Sequence, residues 1–311
     1  TVGNINVSGI TFNLRGTSDS GRDIDIPAVT DENGVAIFSE IPIGTYTIYE
    51  DEKTVPTAYL VADPQNVTVT YAETKEVPIE NKEKTGSITV HKTTEGQKNI
   101  EGIKFYLRGT SDSGRAIDIP ATTDKDGIAK FDGVPIGTYM VIEDEETVPY
   151  GYLVADEKEV KVEYAQTIDE TILNNEQTGT VKVHKKTADM TNVEGIRFIL
   201  SGISDTGREI RIEATTDKDG LAKFEGVPVG TYTITEDGST VPYGYLVADS
   251  KQVTVAYAQT VDTDMVNEKA PDTPNTGVTD NDSDGSKALC SVAIILAGAA
   301  IVMFSRKRKE R

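Results

Sequence analysis

Gly137-Thr138-Tyr139-Met140-Val141-Ile142-Glu143 alternates with a period of two, so Tyr139, Val141 and Glu143 share one face of an extended chain. The stretch has two counterparts, Gly44-Thr45-Tyr46 followed by Ile48 and Glu50, and Gly230-Thr231-Tyr232 followed by Ile234 and Glu236. The offset is 93 residues each time. The same offset relates Tyr59-Leu60-Val61-Ala62-Asp63 to the identical pentapeptides at 152–156 and 245–249. It also relates Ser18-Asp19-Ser20-Gly21-Arg22 to Ser111 through Arg115 and to Ser204-Asp205-Thr206-Gly207-Arg208. A unit of this length is too long for a solenoid repeat and suits a self-sufficient small domain. Thr94 falls one period after Thr1, so the first copy has no counterpart of 85–93 and lacks its opening strand.

Composition narrows the function classes. The 311 residues carry a formal charge of -20, with two His, one Cys and no Trp. That charge argues against nucleic acid, because phosphate binding needs clustered Lys and Arg to release counterions. One Cys excludes an intramolecular disulfide framework, and two His with one Cys argue against an all-protein zinc site. No cofactor is implied. A start at Thr1 rather than Met reads as a fragment or a processed product.

Within the second copy, short alternating runs such as Ile103-Lys104-Phe105-Tyr106-Leu107 and Val160-Lys161-Val162-Glu163-Tyr164 are separated by turn-rich segments, and no helical period is sustained. The expectation is an all-β chain of Ig-like sandwich modules, each an antiparallel β-sandwich or partly open barrel of about seven strands. The predicted divisions are 1–83, 84–176 and 177–269 for the modules, 270–287 for a disordered linker, 288–304 for a membrane segment and 305–311 for a basic tail. About four residues separate Asn174 from the next opening strand, which predicts modules strung end to end as a rod.

Ala288 through Phe304 is a run of 17 residues without a charge, followed by Ser305 and Arg306-Lys307-Arg308-Lys309. A run of this length can span a bilayer as one helix, and the basic cluster would hold its C-terminal end in the cytoplasm. Just before it stands Thr273-Pro274-Asn275-Thr276-Gly277. Pentapeptide, polar spacer, apolar segment and basic tail together resemble the cell-wall sorting signal of Gram-positive surface proteins, whose pattern is Leu-Pro-x-Thr-Gly; Thr273 replaces the usual Leu. The resemblance implies that a sortase cleaves between Thr276 and Gly277 and passes the acyl group to an amine on peptidoglycan or on a pilus subunit. It places the mature protein at the cell surface, covalently attached to the wall.

Lys92 shares the inward face of its strand with Ile88 and Val90, while His91 takes the outward face; Lys185 does the same beside Val181 and Val183. Glu143 and Glu236 lie on core faces, with Glu50 their equivalent in the first copy. Asn81, Asn174 and Asn267 are one period apart, each two residues after an apolar Ile79, Ile172 or Met265. The bland reading is a buried ion pair with an adjacent amide. However, Gly-Thr-Tyr-x-x-x-Glu, then Val148-Pro149-Tyr150-Gly151-Tyr152, then a last strand ending in Asn resembles the Cna B-type, SpaA-like prealbumin-fold module of Gram-positive pilins and adhesins. The likeness spans 1–269. The first copy departs from it, with Thr57-Ala58 in place of Tyr150-Gly151 and with the position of its Lys falling before Thr1. The resemblance implies an isopeptide bond formed as Lys92 attacks Asn174 with Glu143 shuttling protons, and likewise Lys185, Asn267 and Glu236. Burial favours the neutral forms of an amine and a carboxyl, and fixed positioning supplies a large effective concentration.

Other motifs read as turns. Asp124-Lys125-Asp126-Gly127 lacks the further ligands and closing Glu of a calcium loop. No Ser-His-Asp set, phosphate loop or metal cluster is present, so no enzyme is expected within this stretch. The composite expectation is a stalk supporting adhesion, whose host or matrix ligand would be met by a region before Thr1. Alternatives are a minor or basal pilus subunit and the stalk of a surface enzyme with its catalytic domain upstream.

Overall fold

The computed structural model describes residues 1–271 apart from Asn6, Asn99, Asn192 and the side chain of Asn4. The pentapeptide 273–277, nearly all of the predicted linker, the apolar run 288–304 and the tail 305–311 lie outside the described residues. Among the described residues no helix is long and apolar enough to cross a membrane.

The first module contributes β1 (Thr11–Thr17), β2 (Asp23–Val29), β3 (Gly44–Glu50) and β4 (Gln65–Val69). The second contributes β5 (Thr85–Thr94), β6 (Lys104–Ser111), β7 (Ala116–Thr122), β8 (Ile128–Pro135), β9 (Gly137–Glu143), β10 (Lys158–Val162) and β11 (Thr167–Asn174). The third repeats this set as β12 (Thr178–Thr187), β13 (Arg197–Ser204), β14 (Glu209–Thr215), β15 (Leu221–Pro228), β16 (Gly230–Glu236), β17 (Lys251–Val255) and β18 (Thr260–Asn267). Each complete module packs a four-stranded sheet, ordered β10-β9-β6-β7 in the second, on a three-stranded sheet ordered β11-β5-β8. The first module shows only its four-stranded sheet, ordered β2-β1-β3-β4. The residues one period before β8 and β11 form no strand there, because β5, which lies between those two, has no counterpart in the chain.

The predicted antiparallel sandwich needs one correction. β11 runs parallel to β5, from Thr167↔Ser87 to Asn174↔Thr94, and β18 runs parallel to β12 in the same way. Hairpins leave local turn signals, whereas a parallel pair needs only a long crossover, here nearly the whole module. The pairing puts the end of the last strand beside the end of the first.

Two buried faces make the core of the second module. Ile88, Val90, Phe131 and Ile172 come from one sheet, and Phe105, Leu107, Tyr139, Val141 and Val160 from the other. β5 alternates buried and half-buried positions along its length, which matches its period-two pattern. Tyr139 is 1% exposed, yet its hydroxyl donates to the Pro135 carbonyl at 2.8 Å, so the buried phenol is satisfied. Burial, with the Asp112 and Glu83 charges adding to it, pushes that phenol up to about 12. Gly86 is required for space: a Cβ there would stand 2.5 Å from the Glu163 carbonyl oxygen and 2.7 Å from that of Gln166.

Candidate functional site

Lys92 is the last inward residue of β5 before Thr94 ends it, and Glu143 and Asn174 are the inward residues that end β9 and β11. Ile172 stands opposite Lys92 and Asn174 opposite Thr94, so Lys92 and Asn174 are diagonal neighbours on the inner face of one sheet. Glu143 ends the strand paired to Phe105 on the other sheet and meets them across the sandwich. The amine lies 3.6 Å from Glu143 Oε1, and both side chains are buried. The amine also donates to the Thr93 and Ile172 carbonyls at 2.7 and 3.1 Å. Asn174, 0% exposed, donates from Nδ2 to Glu143 Oε2 at 2.6 Å and to the Leu153 carbonyl. Glu143 Oε2 accepts a further bond from Ala155 N at 2.8 Å. One carboxyl therefore spans the pair, with one oxygen toward the amine and the other on the amide nitrogen.

The third module repeats this arrangement. Lys185 Nζ forms a buried ion pair with Glu236 Oε1 at 3.0 Å and donates to the Met265 carbonyl at 3.3 Å. Asn267 Nδ2 donates to Glu236 Oε2 at 2.6 Å and to the Leu246 carbonyl at 2.8 Å, and Ala248 N donates to the same carboxylate oxygen at 2.7 Å. In the first module Glu50 Oε2 accepts from Asn81 Nδ2 and Ala62 N, each at 2.6 Å, without an amine.

Burial is the largest influence on both amines. It lowers Lys92 to about 8 against the opposing pull of the Glu143 charge, and it lowers Lys185 in the same sense. The Oε1 atoms of Glu143 and Glu236 face the lysine amines, whereas Asn174 Oδ1, Asn267 Oδ1 and Glu50 Oε1 are buried without a hydrogen-bond donor. Leaving such atoms unpaired costs about 1–3 kcal/mol each, and functional sites are where proteins tolerate this. Amine, carboxyl and amide thus meet in one buried cluster in each of the two complete modules.

Sequence reasoning missed one part of the site. The threefold Tyr-Leu-Val-Ala-Asp segment supplies the backbone groups that hold the triad, through Leu153 O and Ala155 N and their equivalents. Its unbroken recurrence was the available signal. Other motifs resolve as local structure: Asp124 Oδ1 accepts from Asp126 N and Ile128 N, each at 2.9 Å, which makes that loop a local turn; it is not the expected hairpin, because it carries the chain from β7 in one sheet to β8 in the other. His91 and His184 face outward, paired with Asp169 at 3.0 Å and Asp262 at 2.7 Å.

The model of the family described as "SpaA: Prealbumin-like fold domain" matches residues 2–83, 86–177 and 179–269. The chain belongs to this family. Its three tandem copies are prealbumin-like domains. Among solved structures, the TIE protein of Bacillus anthracis is similar at 20% identity and a TM-score of 0.59, over 84% of this chain and 47% of that one. This chain thus spans about half the length of that relative, and the likeness is one of fold. A minor pilin of Streptococcus agalactiae aligns at 19% identity over 61% of this chain and 98% of its own, with a TM-score of 0.29. The shaft pilin SpaA of Lactobacillus rhamnosus GG aligns at 16% over 61% and 100%, with a TM-score of 0.28. No curated relative matches the chain.

Proposed function

We propose that this chain is the stalk of a cell-surface protein, joined through Thr276 by a sortase to peptidoglycan or a pilus subunit, and stiffened by two autocatalytic isopeptide bonds. The bonds link Lys92 to Asn174 and Lys185 to Asn267. The observation that carries this reading is the carboxyl that bridges amine and amide nitrogen, built twice from equivalent residues. In the reaction the neutral Lys92 amine adds to the side-chain carbonyl carbon of Asn174, forming a C–N bond. Glu143 takes a proton from that nitrogen through Oε1 and delivers one to Nδ2 through Oε2. The C–Nδ2 bond then breaks and ammonia leaves. An amine and a primary amide become a secondary amide and ammonia, and the carboxyl returns to its starting state.

The parallel pairing gives the bond its mechanical sense. Force entering along β5 reaches Lys92, crosses to Asn174 at the end of β11 and leaves the module, so the 81 residues between them carry none of it. A stalk that resists extension needs neither disulfide nor metal if its modules are closed in this way. Adhesion would rest on a region of the protein outside this stretch, and the order of pentapeptide, spacer, apolar run and basic tail supports surface attachment. Single-molecule pulling tests the mechanical reading. The parent should release no contour length from between Lys92 and Asn174 or between Lys185 and Asn267, whereas the Glu143→Ala/Glu236→Ala double variant should extend both. Full extension of the parent modules contradicts it.

A further inference from the structure

The Ser-Asp-Ser-Gly-Arg loops read as turns in the sequence, and locally they are. Ser111 Oγ accepts from Arg115 N at 3.0 Å and meets Ser113 Oγ at 2.7 Å; Ser204 holds Arg208 and Thr206 in the same way. Each of these loops also receives a carboxylate from the module before it. Glu83 accepts from Arg115 Nη2 at 2.6 Å and from the Ser113 hydroxyl. Glu176, 93 residues later, accepts from Arg208 Nε at 2.9 Å and from the Thr206 hydroxyl. The Glu176 side chain is completely buried and that of Glu83 is 6% exposed. A carboxylate buried at a junction is tolerated because the guanidinium and hydroxyl compensate its lost hydration. The backbone approaches closely at the same place, where a Cβ on Gly151 would stand 2.8 Å from Thr206 Cγ2.

The third such loop belongs to the first module. Ser18 Oγ accepts from Arg22 N at 2.9 Å and meets Ser20 Oγ at 2.9 Å, so the loop is already shaped like the other two. Nevertheless Ser20 and Arg22 are exposed, whereas Ser113 and Thr206 are 3% and 4% exposed. No ion pair of Arg22 is found among the described residues. A Cβ on Gly21 would meet nothing within 4 Å, whereas one on Gly114 or Gly207 would approach Ile5 or Lys98 of the preceding module.

We propose that the Ser18–Arg22 loop is a docking site for the C-terminal glutamate of another prealbumin-like module placed before this one in a tandem array. The occupant is defined by charge. It must bring a carboxylate to Arg22 and the Ser20 hydroxyl, as Glu83 and Glu176 do at their junctions. A second copy of this chain does not qualify. At the position equivalent to Glu83 and Glu176 its last module carries Lys269, which pairs with its own Asp189 at 3.4 Å and would confront Arg22 with a like charge. The glutamate and the loop thus define a head and a tail at each of the two junctions.

The test extends the full chain at its N-terminus with a copy of residues 84–186, which keeps the repeat in register because Thr187 is equivalent to Thr1. The added Glu176 copy then faces Arg22. Spin labels on the added module and on the first module report their separation. A narrow distance distribution is expected, like that across the Glu176–Arg208 junction. It should broaden in Arg22→Glu and also when the added glutamate is replaced by Lys, and it should narrow again when both changes are combined. Equal widths in all four proteins, or a broad distribution in the unaltered extension, overturn the proposal. Unchanged strand signals by circular dichroism in each variant separate loss of docking from loss of folding.

Discussion

Asn174→Ala removes the amide carbon from the second module and leaves Lys92 a free amine. The ring that the proposed Lys92–Asn174 bond would close encloses 81 residues. By the loop-entropy relation used for disulfides, opening it costs about 4–5 kcal/mol. A unit of this size unfolds with an entropy of roughly 0.2 kcal/mol/K, so its melting temperature should fall by roughly 20 °C. The free amine adds a pH signature. Burial lowers Lys92 from 10.5 to about 8 in the folded chain, so the unfolded chain binds more protons between those values. Stability of the variant should therefore rise with pH through that window, by up to about 3 kcal/mol. In a parent that carries the proposed bond the same nitrogen is an amide and has no proton to lose there. Calorimetry of parent and variant from about pH 7 to 10.5 measures both effects, and titrations common to the two proteins, such as Tyr139, cancel in the comparison. Coincident melting temperatures with identical pH slopes would refute the reasoning.

Gly86→Ala should destabilise the second module by about 1–3 kcal/mol in urea unfolding, since its Cβ meets two backbone oxygens that cannot turn aside. Tyr139→Phe strands the Pro135 carbonyl in the core and should cost about 1–3 kcal/mol by the same assay. Thr276→Ala should move the protein from the cell-wall fraction to the membrane fraction, and equal recovery of parent and variant from the wall would refute the sorting assignment.

The period-two pattern made much of this legible. It placed Lys92 and Lys185 inward and His91 and His184 outward, and spacing from Ile172 and Met265 selected Asn174 and Asn267, as the structure has them. Alternation reports which face a side chain takes, and burial follows from that. It does not report strand partners far apart in sequence, so the parallel course of β11 beside β5 could not be read. Backbone donors and acceptors leave no side-chain mark, which hid the roles of Leu153 and Ala155. The contact at the junction was hidden for a related reason. The stretch after Asn174 is a short link, with β12 beginning at Thr178, and Glu176 within it is 3% exposed. A lone acidic residue between strands ordinarily signals solvent, and only the loop of the next module makes it a buried contact.

The intact mass of the purified protein tests the central claim most directly. Two closed bonds require a mass below the sequence value by two ammonia molecules. Glu143→Ala and Glu236→Ala should each restore one of them, and peptide mapping should find Lys92 joined to Asn174 and Lys185 to Asn267. A folded parent at its full sequence mass contradicts the account and leaves two buried lysine–glutamate pairs in its place.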